Sequence, residues 1–177
     1  MTFRGTITKI YSLLQKKRFK KCGKRFSLGY PSTIYSFDSI EIGNNVHIRE
    51  HVWLNCTRKS KNEPVLIIKN NTYIGRFLHL NAKLSVEIGS DVLISDRVFI
   101  TDHHHGYEDQ SPIKNQPLPK GAPVKLKNGC WIGIGAVINP GVTVGENSIV
   151  GSNSVVTKDV KDNTIVGGVP ARLIRSV

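Results

Sequence analysis

The chain has little of what would tie it to several large protein classes. Cysteine is scarce: Cys22, Cys56 and Cys130 are widely spaced and odd in number, which fits neither a disulfide framework nor a zinc pair and predicts reduced thiols. Aromatic residues make up only 7%, and they are not interleaved with cations as on a single-strand-binding surface, so nucleic acid is not an expected partner. No apolar run approaches the ~20 residues that span a bilayer, and "IYSLL" near the amino terminus is too short for a signal-peptide core. Acids are missing before Asp38, whereas Arg4, Lys9, Lys16, Lys17, Arg18, Lys20, Lys21, Lys24 and Arg25 all precede it. Most of the net charge of +12 therefore sits on one terminal segment. These features predict a cytoplasmic, single-domain protein whose basic end is available to the inner face of a membrane.

What the chain does have is glycine, 16 residues of it, and a short aliphatic period. From Ile42 it reads "IGNNVH", "IREHVW", "LNCTRK"; later "IGSDVL", "ISDRVF", "ITDHHH"; and later still "IGIGAV", "INPGVT", "VGENSI". In register, the leading positions are Ile42, Ile48, Leu54, Ile68, Ile74, Leu80, Ile88, Ile94, Ile100, Leu126, Ile132, Ile138, Val144, Val150 and Val156. All fifteen are Ile, Leu or Val, types that fill 48 of 177 positions, so chance would supply about four. A six-residue period fits neither an amphipathic helix nor a two-layer sheet. It predicts an all-β solenoid in which three hexads close one coil and the lead residues stack inside.

Further detail follows from the register. Position five is small or aliphatic, as in Val46, Val92, Cys130, Ala136 and Ser154. Position two is often glycine (Gly43, Gly75, Gly89, Gly133, Gly145, Gly151), where a tight corner is expected to need unusual backbone angles. Full coils are led by Ile42, Ile68, Ile88, Leu126 and Val144, with partial turns before them and a long excursion at 106–125, whose length marks it for function. Residues 26–177 form the β-helix domain. Residues 1–25 form a basic amphipathic segment with a helical stripe of Phe3, Ile7, Ile10 and Leu14, which either caps the first coil or lies on an anionic bilayer.

The excursion follows "ITDHHHGYEDQSPI". Adjacent side chains on extended backbone point to opposite faces, so His103, His104 and His105 do not readily ligate one ion, and no metal is expected. Imidazole titrates near neutrality and suits proton transfer instead.

The run "CWIGIGAVINPGVTVGENSIVGSNSVVTKDV" and the ending "VGGVPARLIR" resemble the hexapeptide-repeat acyltransferases, in particular the maltose and galactoside O-acetyltransferase branch and its relatives in surface-polysaccharide synthesis. The resemblance spans roughly residues 40–177 and is most specific in its carboxy-terminal half. It implies a left-handed parallel β-helix, a homotrimer with active sites between subunits, and acetyl-coenzyme A as acetyl donor. It also implies a base at the sixth hexad position, here His105, with His103 as the rival. Asp102, Glu108 or Asp109 would orient the imidazole, His104 would pack at a corner, and Asn81 would bind the acceptor. Ile134, Ser152, Thr157 and Lys158 would line the pantetheine channel, Ile134 through its backbone, Trp131 would form an apolar wall, and Arg172 and Arg175 would face the nucleotide phosphates.

The implied reaction is transfer of acetyl from acetyl-coenzyme A to a sugar hydroxyl in capsule, exopolysaccharide or O-antigen synthesis, with a carbohydrate acceptor. Three alternatives remain at this point: N-acetylation of a nucleotide-linked amino sugar, a non-catalytic scaffold, and zinc-dependent hydration as in γ-type carbonic anhydrases. The chain lacks the longer amino-terminal helical segment and acidic residues with which maltose and galactoside acetyltransferases frame small sugars. Sugar identity therefore does not carry over.

Overall fold

The computed structural model describes residues 3–57, 65–108, 110–118 and 121–177. Among the described residues one α-helix, α1 (Phe3–Lys16), precedes a stack of short strands that build a left-handed parallel β-helix. Six coils carry three strands each: coil 1 (Lys21–Cys22, Ser27–Leu28, Thr33–Tyr35), coil 2 (Ile40–Ile42, His47–Ile48, Trp53–Cys56), coil 3 (Leu66–Ile68, Tyr73–Ile74, His79–Ala82), coil 4 (Val86–Ile88, Leu93–Ile94, Phe99–Thr101), coil 5 (Val124–Leu126, Trp131–Ile132, Val137–Ile138) and coil 6 (Thr143–Val144, Ile149–Val150, Val155–Val156). First, second and third strands of successive coils pair in parallel to make three sheets. The second sheet gains Thr164–Gly167, on which Arg172–Ser176 folds back antiparallel. Coil 1 is thus complete, where the sequence suggests only partial turns, and its first strand begins within the basic segment.

The period works as the hexads suggest. Every one of the fifteen lead residues is buried, as are Val46, Val92, Cys130, Ala136 and Ser154 at position five. In-register stacking places like on like, for example Ile48 on Ile74 and Ile94 on Ile132. Neighbouring coils share a ladder at the usual strand spacing, so a branched aliphatic fills each step and excludes water from the axis.

The glycines differ from expectation. Left-handed backbone falls on position four, at Asn45, His51, Asn71, Phe77, Asp91, Arg97, Gly129, Gly135, Gly141, Asn147 and Asn153. Glycine at position two is there because the next coil passes close by: a Cβ on Gly133 would sit 2.7 Å from the Ser152 amide nitrogen. Turn curvature and coil-to-coil approach are separate constraints on separate positions.

Helix α1 closes the amino-terminal end, but with a different face from the predicted stripe. Ser12 Oγ accepts from the Leu28 amide at 2.9 Å, and the Tyr11 hydroxyl donates to the Ser32 carbonyl at 3.1 Å. A side-chain hydroxyl thereby occupies an edge-strand amide that would otherwise lack a strand partner. Below it Phe19 packs against Phe26 and Phe37, a plug of rings under the aliphatic ladder. Of the predicted stripe, Ile10 and Leu14 point away into solvent, together with Leu13, Ile7 is half-buried, and the Phe3 side chain lies outside the described residues.

Candidate active site

The excursion leaves coil 4 at its third strand and returns at Val124. Its start is pinned by Asp102, whose carboxylate is fully buried. That carboxylate accepts backbone N–H groups of Lys83, Leu84 and Ser85, from the corner of coil 3, at 2.7–3.0 Å. Its backbone carbonyl accepts from the Ala122 N–H at 2.8 Å, tying down the end of the excursion. A charge buried without water needs several donors, and three converging amides supply them.

The same carboxylate receives the imidazole of His103, with Nδ1 2.8 Å from Oδ1. Donation from Nδ1 leaves Nε2 as the acceptor nitrogen. Asp102 therefore orients His103 and not His105, contrary to expectation. Thr101, which sequence reasoning missed, donates its hydroxyl to the His103 carbonyl at 2.7 Å and fixes the backbone at the same point. His104 is exposed rather than packed; its Nδ1 contacts the His105 carbonyl at 2.9 Å and its ring lies 5.5 Å from Tyr107. His105 is exposed at the mouth of the site. Glu108 is exposed, and Asp109 lies outside the described residues.

All three histidines line one cleft of about 410 Å³ with Asn81, Phe99, Thr101, Asn139 and Pro140. Asn81 faces outward on coil 3 directly beneath Thr101. Asn139 and Pro140 come from "INPG" in coil 5, one step above, and the register that pairs Phe99 with Val137 is the signal that would have found them. Outward positions of the third sheet also stack in rows: Trp53, His79 and Phe99 in one, with ring centroids 5.4 Å apart, and Asn55, Asn81 and Thr101 in the other.

The remaining predicted residues lie elsewhere on the protomer. Trp131 is half-exposed on the second sheet and donates its indole N–H to Ser95 Oγ at 3.0 Å. Ile134 and Ser152 stack on the edge between second and third sheets, and the Ile134 carbonyl already accepts from the Asn153 N–H at 2.8 Å. Lys158 and Arg172 share a second cleft of about 310 Å³ with Lys161 at the carboxy-terminal end, next to exposed Thr157. Arg175 is exposed on the antiparallel strand. One protomer therefore brings the histidines to Asn81, and Lys158 to Arg172, but leaves Trp131 on a different face from the histidines.

Cysteine chemistry is disfavoured. Burial and then the Asp102 charge push the Cys56 thiol up to about 12, and burial alone drives Cys130 to about 12 against one backbone hydrogen bond. Neither thiol is a nucleophile near neutral pH. Among the described residues, no three His, Cys, Asp or Glu side chains cluster as a metal site.

A three-sheet left-handed coil with an imidazole-lined cleft where a long loop leaves it defines a class, and comparison with known proteins agrees. Residues 123–158 match the bacterial transferase hexapeptide family, six repeats. The galactoside O-acetyltransferase of Escherichia coli K12 is 31% identical over 92% of this chain and 79% of its own length. A second protein of that strain, provisionally assigned to lipopolysaccharide biosynthesis as the O-acetyl transferase WbbJ, is 30% identical over 82% of this chain and 76% of its own. Among solved structures, the N-acyltransferase AntD from Bacillus cereus, in complex with dTDP and 3-hydroxybutyryl-CoA, superposes with a TM-score of 0.80 at 26% identity, covering 94% of this chain and 87% of that one. The chain belongs to the hexapeptide-repeat acyltransferase family and is an acyl-coenzyme A-dependent acetyltransferase.

Proposed function

We propose that this enzyme moves an acetyl group from acetyl-coenzyme A to a hydroxyl of a carbohydrate during surface-glycan synthesis in the cytoplasm, with His105 as general base. The observation that carries this reading is the cleft in which Asn81 and the histidines meet. A sugar hydroxyl is a weak nucleophile at neutral pH. An imidazole at the cleft mouth accepts its proton as the oxygen bonds to the thioester carbon; the carbon–sulfur bond then breaks and coenzyme A leaves as thiolate, which takes up a proton. Base assistance of this kind is worth about 10²- to 10⁴-fold.

His103, whose Nδ1 is held by Asp102 and whose Nε2 is left as the acceptor nitrogen, is the rival base. The amide row of Asn55 and Asn81 supports a carbohydrate acceptor, because amides meet hydroxyls. For the donor, Lys158, Arg172 and Arg175 supply cations suited to phosphate, and Trp131 an apolar wall.

A homotrimer fits this division. The outward row of the first sheet is largely charged (Glu41, Glu87, Lys125), whereas the second carries Tyr73, Leu93 and Trp131 and the third carries Trp53 and Phe99. Two apolar faces per protomer suit a closed ring in which the second sheet of one copy covers the third sheet of the next. Trp131 would then approach a neighbour's histidines. The basic amino-terminal segment fits an acceptor presented at a membrane surface.

The likeness to AntD favours one second reading, N-acetylation of a nucleotide-linked amino sugar. Thiol release measured with matched hydroxyl and amino acceptors separates the two. The proposal expects turnover on hydroxyl acceptors, a loss of at least about 10²-fold in His105→Ala, and donor affinity unchanged in that variant. Turnover confined to amino acceptors overturns the O-transfer reading, and a dead His103→Ala beside an active His105→Ala moves the base by two residues.

A further inference from the structure

Helix α1 spends its polar face on the fold. Ser12 and Tyr11 bond coil 1 and Tyr11 also packs against its core, so Ile10, Leu13 and Leu14 stay exposed beside the cap. Ile10, Leu13 and Leu14 follow i, i+3, i+4 spacing, which aligns them on one face, and they are 55%, 61% and 66% exposed. Lys9 and Lys17 are exposed on the same helix end of the molecule, and Arg18, Lys20, Lys21, Lys24 and Arg25 follow in the loop and first strand. The first acids of the chain are Asp38 and Glu41, and Glu41 meets Lys20 at 3.7 Å. The closed end of the solenoid thus presents an apolar strip inside a cationic field.

We propose that this face of α1 docks on an anionic lipid surface, with Ile10, Leu13 and Leu14 entering the interface and the surrounding lysines and arginines facing lipid phosphates. Charge complementarity selects this occupant. A second copy of the chain would bring an equally cationic patch against the first, whereas an anionic bilayer neutralises it and also takes up the leucines. Catalysis plays no part in the inference, so it stands or falls separately from the acetyl-transfer reading.

The test is flotation of the full chain with vesicles of phosphatidylcholine alone or with about 30% phosphatidylglycerol, at about 50 and 500 mM salt. Expected is at least a tenfold higher partition coefficient on anionic vesicles at low salt, largely lost at high salt. The variants Leu13→Ser/Leu14→Ser and Lys9→Glu/Lys17→Glu, each with a retained circular dichroism spectrum, should each reduce partitioning about tenfold or more. Equal recovery on neutral and anionic vesicles, or binding that survives both double substitutions, overturns the proposal. So does a Leu13→Ser/Leu14→Ser chain whose assembly mass falls in sedimentation while vesicle binding is unchanged, because a second copy would then be what covers the strip.

Discussion

Coils 5 and 6 share an inward ladder with coils 2 to 4 but turn their corners differently. In the carboxy-terminal pair the left-handed positions are Gly129, Gly135, Gly141, Asn147 and Asn153; in the earlier coils they include His51, Phe77 and Arg97. Left-handed backbone costs an ordinary L-residue roughly 1–2 kcal/mol and costs glycine almost nothing. The bulky corners lie along the edge between second and third sheets, where His51 stacks on Phe77 at 5.1 Å with planes 6° apart. Beside them Glu50 bridges Arg49 and Arg76 at 3.1 and 2.8 Å. The fold asks only for the ladder, and corner residues are free to serve the outer surface. The family model matches 123–158, where the corners are made of glycine and asparagine.

The comparison can be broken most forcefully through the ladder. Ile74→Ala and Ile132→Ala should each cost about 2–5 kcal/mol in denaturant unfolding, and by similar amounts, since both side chains are fully buried in identical steps. A cost confined to one half would mean the halves do not share a core. Glu50 gives the next effect. Burial works to raise its pKa, but its own backbone N–H and the two arginines outweigh that and hold it at about 2. A depressed carboxylate contributes stability that is fully present above pH ~4.5 and is lost as pH falls towards 2, so Glu50→Gln should flatten the acid limb of a stability-against-pH curve. At the corners the expectation is asymmetric. Gly135→Arg, at φ 70°, should destabilise by roughly 1–2 kcal/mol. Arg97→Gly, at φ 59°, should change stability by less than about 1 kcal/mol, because relief of strain is offset by a looser unfolded chain. The most local effect is at the cap: Ser12→Ala leaves the Leu28 amide without its partner and should cost about 1 kcal/mol, read as earlier exchange of that amide.

The stacked coils could be read directly, because a six-residue aliphatic period fits a solenoid and neither an amphipathic helix nor a two-layer sheet, while their left hand was implied by the family resemblance. Coil 1 was harder to see. Its lead residues Cys22, Leu28 and Ile34 pair with Ile42, Ile48 and Leu54, but the first is not aliphatic, and the interior is filled by Phe19, Phe26 and Phe37 in place of small or branched side chains. The helix stripe left two uses open because amphipathicity records which residues are apolar and not which face the fold uses; the hydrogen bonds to coil 1 come from Ser12 and Tyr11. For the site, the family resemblance pointed to the sixth hexad position and to Asn81, one coil before it, and the structure brings Asn81 and the histidines to one cleft. Asp102 was legible as a carboxylate near them, but its choice of His103 was not. That choice depends on the amides of Lys83, Leu84 and Ser85, which come from the coil below and hold the carboxylate where only the adjacent ring can reach it.

Stacking also makes the molecule a ruler. The histidine segment leaves coil 4, three steps above the capped end, and each step advances by one inter-strand spacing, so the histidine cleft stands roughly 14 Å above coil 1. Adding or removing one whole coil between them would move that height by about 4.8 Å while leaving every contact in the cleft intact. A solenoid can therefore retune how far its chemistry reaches from whatever holds its lower end, in discrete increments and without altering a single catalytic distance.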